Sequence, residues 1–438
     1  MPKVVVIGGG WAGCAAALSA HKAGADVVLL ERTDTLLGTG QIGGIMRNNG
    51  RFTAAEEMIA MGGGDLFHLT DENARHTNVE FPGHHHAILY DVSTMEPKVR
   101  RYLQSQGIEI WLVSRVTKVL AGDGVVKAVQ AENGDLVEGD VFVDTTGTMG
   151  PQANCTKYGN GCAMCMSRCP TFGPRVSIAG KMGVPEMMAK RADGGFGAMS
   201  GSCKLNRESV DKSIVAELDR TGVAVIPIPK TLHDEFAAKE EKLVAVKCCQ
   251  QYALKEFIDN IVLLDTGHIK LMAPFYPLVD LRRIPGLENA RYEDPYSGGI
   301  GNSIRFFAMA PRDNTLRVEG TQNLFCGGEK TGPLVGHTEA ICTGTLAGHN
   351  AVRLALRESP TEIPRSTAVG ELIAYSGEQI RAGEGLFQKF TFSGSVFFDR
   401  MKSLGLYTTD RDQIRGRVHA ARLEGLYAPV AIEQSVSA

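Results

Sequence analysis

Short apolar runs alternate with glycine-rich turns and helical stretches in the first part of the chain. Residues 4–7 and 26–30 are mostly apolar runs of the length that buried strands have. An alanine-rich stretch with helical spacing lies between them and extends to Ala23. A strand, a helix and a second strand in this order predict a βαβ unit with parallel strands.

The pattern returns twice further along the chain. Residues 108–147 alternate apolar and polar positions, as in a β-meander that leads into a strand at 141–144. An apolar segment at 323–329 ends in glycines and an acid, and a helix rich in small residues follows at 336–351. These segments predict an α/β fold with a Rossmann-like dinucleotide-binding domain.

The predicted nucleotide-binding segments are separated along the chain, so we expect a discontinuous domain. It comprises residues 1–50, 108–150 and 300–355, and residues 51–107 and 151–300 are inserted regions that carry the substrate site.

Helical patterns occupy other parts of the chain. Two of them, at about 207–218 and 232–261, fall in the second insertion. Two more, at 368–383 and 410–426, follow a proline-marked linker and predict a C-terminal helical cap over 360–438.

Composition narrows the classes of protein that fit this pattern. A chain of 438 residues is long enough for two or three domains, and 43% hydrophobic with 22% charged residues is ordinary for a globular protein. The net charge of −3 gives no general attraction to nucleic acid, although a local basic patch remains compatible with it. We find neither a secretory signal nor an apolar run approaching the roughly 20 residues of a membrane helix. We therefore expect a cytoplasmic protein without a membrane partner.

The turn after the first strand carries the glycine pattern of dinucleotide-binding proteins. Gly8, Gly10 and Gly13 form G-x-G-x-x-G, which allows a tight turn, close approach of a pyrophosphate and close packing of helix on strand. The following helix start offers free N–H groups to phosphates. Glu31 ends the second strand, 18 residues after Gly13, where it can accept hydrogen bonds from ribose hydroxyls.

The order of the β-meander, the strand and the Thr145–Gly147 turn resembles that of the two-dinucleotide-domain flavoproteins. The resemblance implies FAD, with Glu329 on the ribitol and the helix that begins near Gly336 pointing at the flavin ring. The glycine-rich stretch at 38–44 is expected beside the isoalloxazine, with a plain surface loop as the alternative. The predicted cofactor-binding residues are Gly8, Gly10, Trp11, Ala12, Gly13, Glu31, Arg32, Gly43, Gly44, Val116, Thr146, Gly147, Gly328, Glu329 and Thr338.

Four of the ten cysteines lie close together and end in C-x2-C-x3-C-P. This ending matches the end of the run that binds clusters in bacterial ferredoxins, although the first interval is longer here. We predict a [4Fe–4S] cluster near the flavin, with a zinc ion, a redox disulfide or inert thiols as alternatives. Cys203 is a replacement ligand if Cys155 does not reach the cluster. Cys248 and Cys249 are interpreted as one buried core thiol and one incidental thiol, with a nucleophilic role for one of them as the alternative. The predicted metal ligands are Cys155, Cys162, Cys165 and Cys169.

Two polar residues are predicted to act on the substrate or the flavin. His337 begins the helix that faces the flavin and is a candidate for proton delivery, or a polar residue that caps the helix start. Arg47 lies in the loop at 38–50, called the flavin-side loop below, and either binds an anion, stabilises reduced flavin or forms an ordinary salt bridge.

Residues 277–355 resemble the GidA/TrmFO family of FAD-dependent tRNA-uridine-modifying proteins. The resemblance is carried by RRIPGLENARYEDPYSGGIGN, by FAMAPRDNTLRVEGTQNLFCGGEKTG and by the helix ending in AGHNAVRLAL. In one branch of that family, flavin passes a methylene group from methylenetetrahydrofolate to uridine, with cysteines taking part. The chain departs from that branch at Arg47, which stands about where the branch carries a catalytic cysteine.

Together these patterns predict an FAD-dependent oxidoreductase that passes electrons between a [4Fe–4S] cluster and flavin, acting on an unknown substrate. One FAD fingerprint and no nicotinamide fingerprint favour a ferredoxin-like electron partner. The alternative is a folate- and FAD-dependent uracil-5 methyltransferase acting on tRNA or rRNA, with RNA as a less favoured partner. A protein that uses FAD structurally is a third hypothesis, and self-association into a homo-oligomer stays open.

Overall fold

A computed structural model describes residues 1–148, 171–191, 193–199, 202–235, 254–273, 276–293 and 304–429. Strands and helices alternate through the first part of the chain, and helices dominate the last part. The strands are β1 Lys3–Ile7, β2 Asp26–Leu30, β3 Ala74–Phe81, β4 His84–Tyr90, β5 Glu109–Trp111, β6 Val116–Gly122, β7 Val125–Ala131, β8 Leu136–Glu138, β9 Val141–Asp144, β10 Met187–Met188, β11 Ala198–Met199, β12 Cys203–Leu205, β13 Val223–Pro227, β14 Asn260–Thr266, β15 His268–Leu271, β16 Ile304–Arg305, β17 Ala308–Met309 and β18 Leu324–Cys326.

The helices differ widely in length, from one turn to five. They are α1 Trp11–Lys22, α2 Gly40–Gly43, α3 Gly50–Ala60, α4 Asp65–Glu72, α5 Met95–Ser105, α6 Ile178–Lys181, α7 Lys212–Thr221, α8 Lys255–Asp259, α9 Leu278–Leu281, α10 His337–Ala355, α11 Ala368–Arg381, α12 Ser395–Ser403 and α13 Arg411–Ala420. Among the described residues, no helix combines the length and the apolar character needed to span a membrane.

A five-stranded parallel sheet in the order β18-β9-β1-β2-β5 forms the centre of the nucleotide-binding part. Val5 and Val6 of β1 are fully buried, which is why the strand reads as an unbroken apolar run. The antiparallel meander β6-β7-β8 lies between β5 and β9 along the chain. This arrangement confirms the predicted α/β, Rossmann-like fold.

Helices α1 and α10 pack against each other through positions that only glycine can occupy. A Cβ atom at Gly344 would lie 2.1 Å from the carbonyl oxygen of Ala12, and one at Gly348 would lie 2.1 Å from that of Ala16. Both helices follow parallel strands of the central sheet, β1 and β18, so their N-termini lie at the same edge of the sheet.

A second sheet, antiparallel and four-stranded in the order β12-β15-β14-β13, packs next to the hairpin β3–β4. Asp265 of β14 joins the hairpin to this sheet: its buried carboxylate contacts Arg75 Nε at 2.8 Å and His76 Nε2 at 2.9 Å. Burial acts to raise the pKa of Asp265, but the hydrogen bonds from His76 and Arg75 outweigh it and hold that pKa below its usual value.

The C-terminal helices pack against α3, which follows the flavin-side loop. The buried carboxylate of Glu57 accepts hydrogen bonds from the backbone N–H groups of Ala368 and Val369 at 2.9 and 3.1 Å, at the start of α11. Its Oε1 also accepts one from Arg417 of α13 at 3.0 Å. An acid at a helix N-terminus compensates the helix dipole, so Glu57 fixes the helical cap to α3.

Candidate functional site

A large cleft opens at the carboxyl ends of the parallel strands, between the central sheet and the antiparallel sheet. Its walls come from the turn after β1, the end of β2, the 38–45 loop, the 145–148 turn and the start of α10. The residues that line it are Gly8, Gly10, Trp11, Ala12, Glu31, Arg32, Thr33, Gly38, Thr39, Ile42, Gly43, Ile45, Arg51, Thr145, Thr146, Gly147, Thr148, Ser202, Lys270, Met272, Gly327, Gly328, Glu329, Val335, Gly336, His337 and Ala340.

The glycine turn after β1 has the geometry that a dinucleotide needs. Gly8 has φ of +105°, and a Cβ atom there would lie 2.5 Å from the carbonyl oxygen of Thr145. A Cβ atom at Gly13 would lie 1.8 Å from the carbonyl oxygen of Gly8, whereas one at Gly10 would meet nothing within 4 Å. Gly8 and Gly13 are therefore packing glycines, and Gly10 leaves room for a pyrophosphate beside the N-terminus of α1. The cleft fits FAD at this end.

Two acids end strands at opposite sides of the cleft. Glu31 accepts hydrogen bonds from the backbone N–H of Gly9 at 2.6 Å and from that of Thr33 at 2.8 Å, which hold its carboxylate at the cleft. Glu329 contacts the hydroxyl group of Thr148. Arg32 lines the cleft as well, and its guanidinium donates to the carbonyl oxygen of Gly173 at 2.5 Å.

His337 lies against the flavin-side loop. A Cβ atom at Gly43 would lie 2.1 Å from its Cε1 atom, so this loop can approach α10 only because residue 43 is glycine. The hydroxyl group of Tyr90 donates to the carbonyl oxygen of Gly40 at 2.6 Å and lies 3.1 Å from Nδ1 of His337. Burial raises the pKa of Tyr90 and keeps its hydroxyl group protonated. Because that proton is donated to Gly40, a neutral His337 would carry its own proton on Nδ1 and donate it to Tyr90, which would leave Nε2 as the acceptor of the ring.

Two lysines from the antiparallel sheet reach the flavin-side loop, and the sequence analysis did not include them. Lys270 of β15 is buried, lines the cleft and donates to the carbonyl oxygens of Ile42 and Gly43. Lys204 of β12 donates to the carbonyl oxygen of Gln41 at 3.3 Å. The available signal was a lysine between apolar residues in each strand. Both lysines are far in sequence from residues 41–43, so the sequence did not indicate that they contact this loop.

Arg47 lies away from the cleft. Its guanidinium is 1% exposed and pairs with Glu56 at 2.7 Å and with Asp71 at 2.5 Å, which is the salt bridge that the sequence analysis left open. Arg51 lines the cleft instead, one helical turn later, and its Nε contacts Glu339 at 3.0 Å.

The remaining predicted cofactor residues fall into two groups. Trp11, Ala12, Thr146, Gly147 and Gly328 line the cleft. Three others do not: Val116 lines a smaller adjoining cavity, the hydroxyl group of Thr338 donates to the carbonyl oxygen of Met46 at 2.7 Å, and a Cβ atom at Gly44 would lie 2.5 Å from Thr266.

The predicted metal ligands Cys155, Cys162, Cys165 and Cys169 lie outside the described residues, as do Cys248 and Cys249, so those assignments stay predictions. Within the described ranges, no group of three or more histidine, cysteine or acidic side chains could hold a metal ion. The four cysteines that the structure does describe, Cys14, Cys203, Cys326 and Cys342, are all buried. Burial raises the pKa of the Cys14 and Cys342 thiols. It also raises the pKa of Cys326, to about 12.

Comparison with known proteins identifies relatives of the chain. A family profile described as glucose inhibited division protein A matches residues 3–277 and 279–359. A methylenetetrahydrofolate–tRNA-(uracil-5-)-methyltransferase TrmFO from Enterococcus faecalis is 39% identical over 97 residues, 22% of this chain and 21% of that protein. A protein of the same name from Maricaulis maris is 35% identical over 120 residues, 27% of this chain and 25% of that protein. The chain thus matches only about a fifth to a quarter of the length of these curated relatives.

Solved structures show the same fold over nearly the whole chain. GidA from Aquifex aeolicus in its form II crystal superposes with a TM-score of 0.69 at 17% identity, covering 99% of this chain and 74% of that protein. Its form I crystal gives a TM-score of 0.59 at 15% identity, covering 96% and 78%. At these identities the likeness shows the fold alone.

These findings correct the predicted function. The expected oxidoreductase with a [4Fe–4S] cluster that exchanges electrons with flavin is wrong, because the matching relatives are named as folate-dependent uracil-5 methyltransferases. The resemblance to the GidA/TrmFO family and the FAD-binding flavoprotein fold are confirmed. An enzyme with FAD in the cleft described above fits both. The chain belongs to the glucose inhibited division protein A family of FAD-binding flavoproteins.

Proposed function

We propose that this chain is an FAD-dependent enzyme that methylates C5 of uracil in tRNA, with methylenetetrahydrofolate as the one-carbon donor. The observation that carries the proposal is a cleft that fits FAD in a chain whose curated relatives bear the name of that activity. Family membership supports the cofactor, and the relatives' names support the reaction and the tRNA substrate.

The overall reaction requires a reductant as well as a one-carbon donor. Methylenetetrahydrofolate, a uracil C5–H group, two electrons and two protons give 5-methyluracil and tetrahydrofolate. FAD, when reduced, supplies the two electrons for this conversion. The chain carries one dinucleotide fingerprint, so we propose that an external donor reduces the flavin.

The described residues hold the cofactor and move protons. Gly10 and the N-terminus of α1 would bind the pyrophosphate, Glu31 the adenosine ribose and Glu329 the ribitol. Nε2 of His337 can accept a proton in the cleft, while Tyr90 fixes the orientation of the ring. Lys270 holds the flavin-side loop through the carbonyl oxygen of Gly43 and places positive charge at the cleft wall.

A thiol nucleophile, if the reaction uses one, belongs to a segment outside the described residues. Burial holds Cys14, Cys326 and Cys342 in the thiol form, and the thiolate is the nucleophilic species. Arg47 stands at the position where the resemblance places a catalytic cysteine, and its buried ion pairs give it a structural role. The candidates are Cys155, Cys162, Cys165, Cys169, Cys248 and Cys249.

The test is methyl transfer to an unmodified tRNA transcript by the FAD-loaded protein. The protein is reduced with dithionite, mixed with methylenetetrahydrofolate labelled in the methylene carbon, and the RNA is digested and analysed for labelled 5-methyluridine by mass spectrometry. We expect label in the RNA, dependent on both FAD and the folate. Serine variants of the six candidates are compared with Cys203→Ser, a buried matched control. A fully reduced, FAD-loaded protein that leaves no label in any tRNA would overturn the proposal.

A further inference from the structure

Arg175 is a buried arginine whose hydrogen-bonding groups have no acceptor in the described part of the chain. Its side chain is 1% exposed, and Nε, Nη1 and Nη2 all lack a hydrogen-bond partner among the described residues. The carboxylate of Glu186 lies 3.7 Å from Nη2, which balances charge without forming a hydrogen bond. A buried guanidinium with three unused donor groups is costly for the protein alone, so the arrangement calls for a ligand that supplies acceptors.

The charge around Arg175 is already balanced. Glu186 also pairs with Lys330, and Lys330 lies 3.8 Å from Asp144, so two cations face two carboxylates. Nζ of Lys330 further donates to the hydroxyl group of Ser177 at 2.8 Å. The carboxylate of Glu186 therefore balances the charge of Arg175, and what Arg175 lacks is hydrogen-bond acceptor atoms.

The cavity beside Arg175 has the chemistry of a site for a flat, neutral heterocycle. Ile7, Leu30 and Val116 give it apolar walls. Arg32 and Arg115 line it as well and donate to backbone carbonyl oxygens, and Arg175 supplies buried donors at one side. It shares Gly8, Glu31, Arg32 and Thr146 with the FAD cleft, so it adjoins the place where Glu31 would hold the adenosine ribose. A purine base with ring nitrogen acceptors, attached to that ribose, satisfies both features.

The segment that carries Arg175 is fastened to the nucleotide-binding scaffold on either side of this cavity. Arg32 donates to the carbonyl oxygen of Gly173 at 2.5 Å, and Nε of Arg115 donates to that of Pro174 at 2.8 Å. The segment belongs to the inserted region and continues into α6. A base in the cavity would complete this contact between the insertion and the scaffold.

We propose that Arg175 binds the adenine of FAD, so that a residue of the inserted region recognises the nucleotide and FAD in turn fixes residues 173–181 on the scaffold. Arg175 would donate to adenine ring nitrogens, since its buried donor groups at the cavity have no acceptor among the described residues. The proposal depends on FAD binding and not on methyl transfer, so a failed methylation assay leaves it intact.

The test compares Arg175→Leu with the parent protein in the apo and FAD-loaded forms. We expect the unfolding midpoint of the apo protein to stay constant or rise, because a buried group without acceptors has been removed. The dissociation constants of FAD and of ADP, measured by calorimetry, should increase by about 10- to 100-fold, the range for hydrogen bonds from a charged donor. FAD should also protect residues 173–181 from hydrogen exchange in the parent protein only.

Two controls separate recognition from a general effect on the fold. Arg191→Leu removes another arginine of the same stretch of chain, one that pairs with Asp193 and lines neither cavity, and it should leave both dissociation constants unchanged. Arg175→Lys keeps the charge but loses the planar donor fork, so it should weaken ADP binding to an intermediate degree. Unchanged ADP affinity in Arg175→Leu, or an apo midpoint that falls in step with the affinity, would overturn the proposal. The proposal would also be overturned if ADP bound to the FAD-saturated protein and this binding were lost in Arg175→Leu. That result would assign Arg175 to a second adenine nucleotide.

Discussion

The contact between α1 and α10 can be tested by adding a single methyl group. In Gly344→Ala the new Cβ atom would lie 2.1 Å from the carbonyl oxygen of Ala12, whereas real Cβ contacts stay above 3.0 Å. The two helices must therefore separate locally by at least about 0.9 Å, the difference between those two distances. Displacements of 0.5–1 Å forfeit roughly a quarter to a half of each van der Waals contact that is stretched.

The expected cost follows from that displacement. Overpacking of this kind destabilises proteins by about 1–3 kcal/mol, against which alanine returns about 1 kcal/mol of helix propensity. We expect Gly344→Ala to lower the free energy of unfolding by about 1 kcal/mol in urea titrations, the difference between these two contributions. Gly416→Ala is the matched control. Gly416 is an exposed residue of α13, and a Cβ atom there would meet no described atom within 4 Å. The free energy of unfolding should therefore rise by up to about 1 kcal/mol in this variant.

The same displacement should also weaken cofactor binding, in a manner that depends on position. Ala12 lines the FAD cleft, whereas Ala16, the partner of Gly348, lies one helical turn away from it. Gly344→Ala and Gly348→Ala should therefore lose similar stability, but FAD affinity should fall further in Gly344→Ala, as measured by flavin fluorescence. Stability in either variant equal to that of the parent protein would refute the close packing of the two helices.

Two substitutions and one labelling experiment test the buried groups around the cleft. Arg47→Met removes the buried partner of Glu56, so the free energy of unfolding should fall by about 3 kcal/mol while the FAD dissociation constant of the folded protein stays constant; a selective loss of FAD affinity would restore Arg47 to the site. Asp265→Asn should cost about 3 kcal/mol at pH 7. Because its partners depress the pKa of Asp265, that contribution is present above about pH 4 and is lost as the pH falls further, so urea unfolding curves of the two proteins should converge in acid. Cys14 and Cys342 should react with a thiol reagent only after unfolding, and fast labelling of either in the native protein would contradict their burial.

The central sheet was predictable because its strands are buried on both faces and so read as apolar runs. The glycine pattern after β1 also has one well-known structural role, the turn that binds a dinucleotide. The antiparallel sheet was not predicted: the Lys/Glu-rich helical pattern at 232–261 contains helix α8 and overlaps strand β14 only at residues 260–261. An apolar run next to a helical pattern has no periodicity of its own that separates the two states.

Arg47, before helix α3, and Arg51, in its first turn, show why the sequence could not assign roles to individual arginines. Arg47 and Arg51 are equally charged and four residues apart, yet Arg51 reaches the cleft and Arg47 does not. Asn49, between them, has φ of +50°, and this turn into α3 sets which arginine faces the cofactor. Asparagine tolerates that conformation but does not require it, so the residue types alone could not assign the roles.

The extent of similarity to relatives indicates where the specific chemistry lies. The fold likeness covers 99% of the chain, but the likeness in sequence to the Enterococcus protein covers 22%. Packing constraints such as those at Gly13 and Gly344 preserve the scaffold, and they carry no information about the substrate. Lys270 reaches the cofactor cleft and Arg175 reaches the smaller cavity that adjoins it, and both come from outside the parallel sheet. A change of substrate within this fold would therefore alter the segments outside the parallel sheet and leave the FAD-binding residues unchanged. For that reason a cleft that fits FAD identifies the cofactor, whereas it does not by itself identify the reaction.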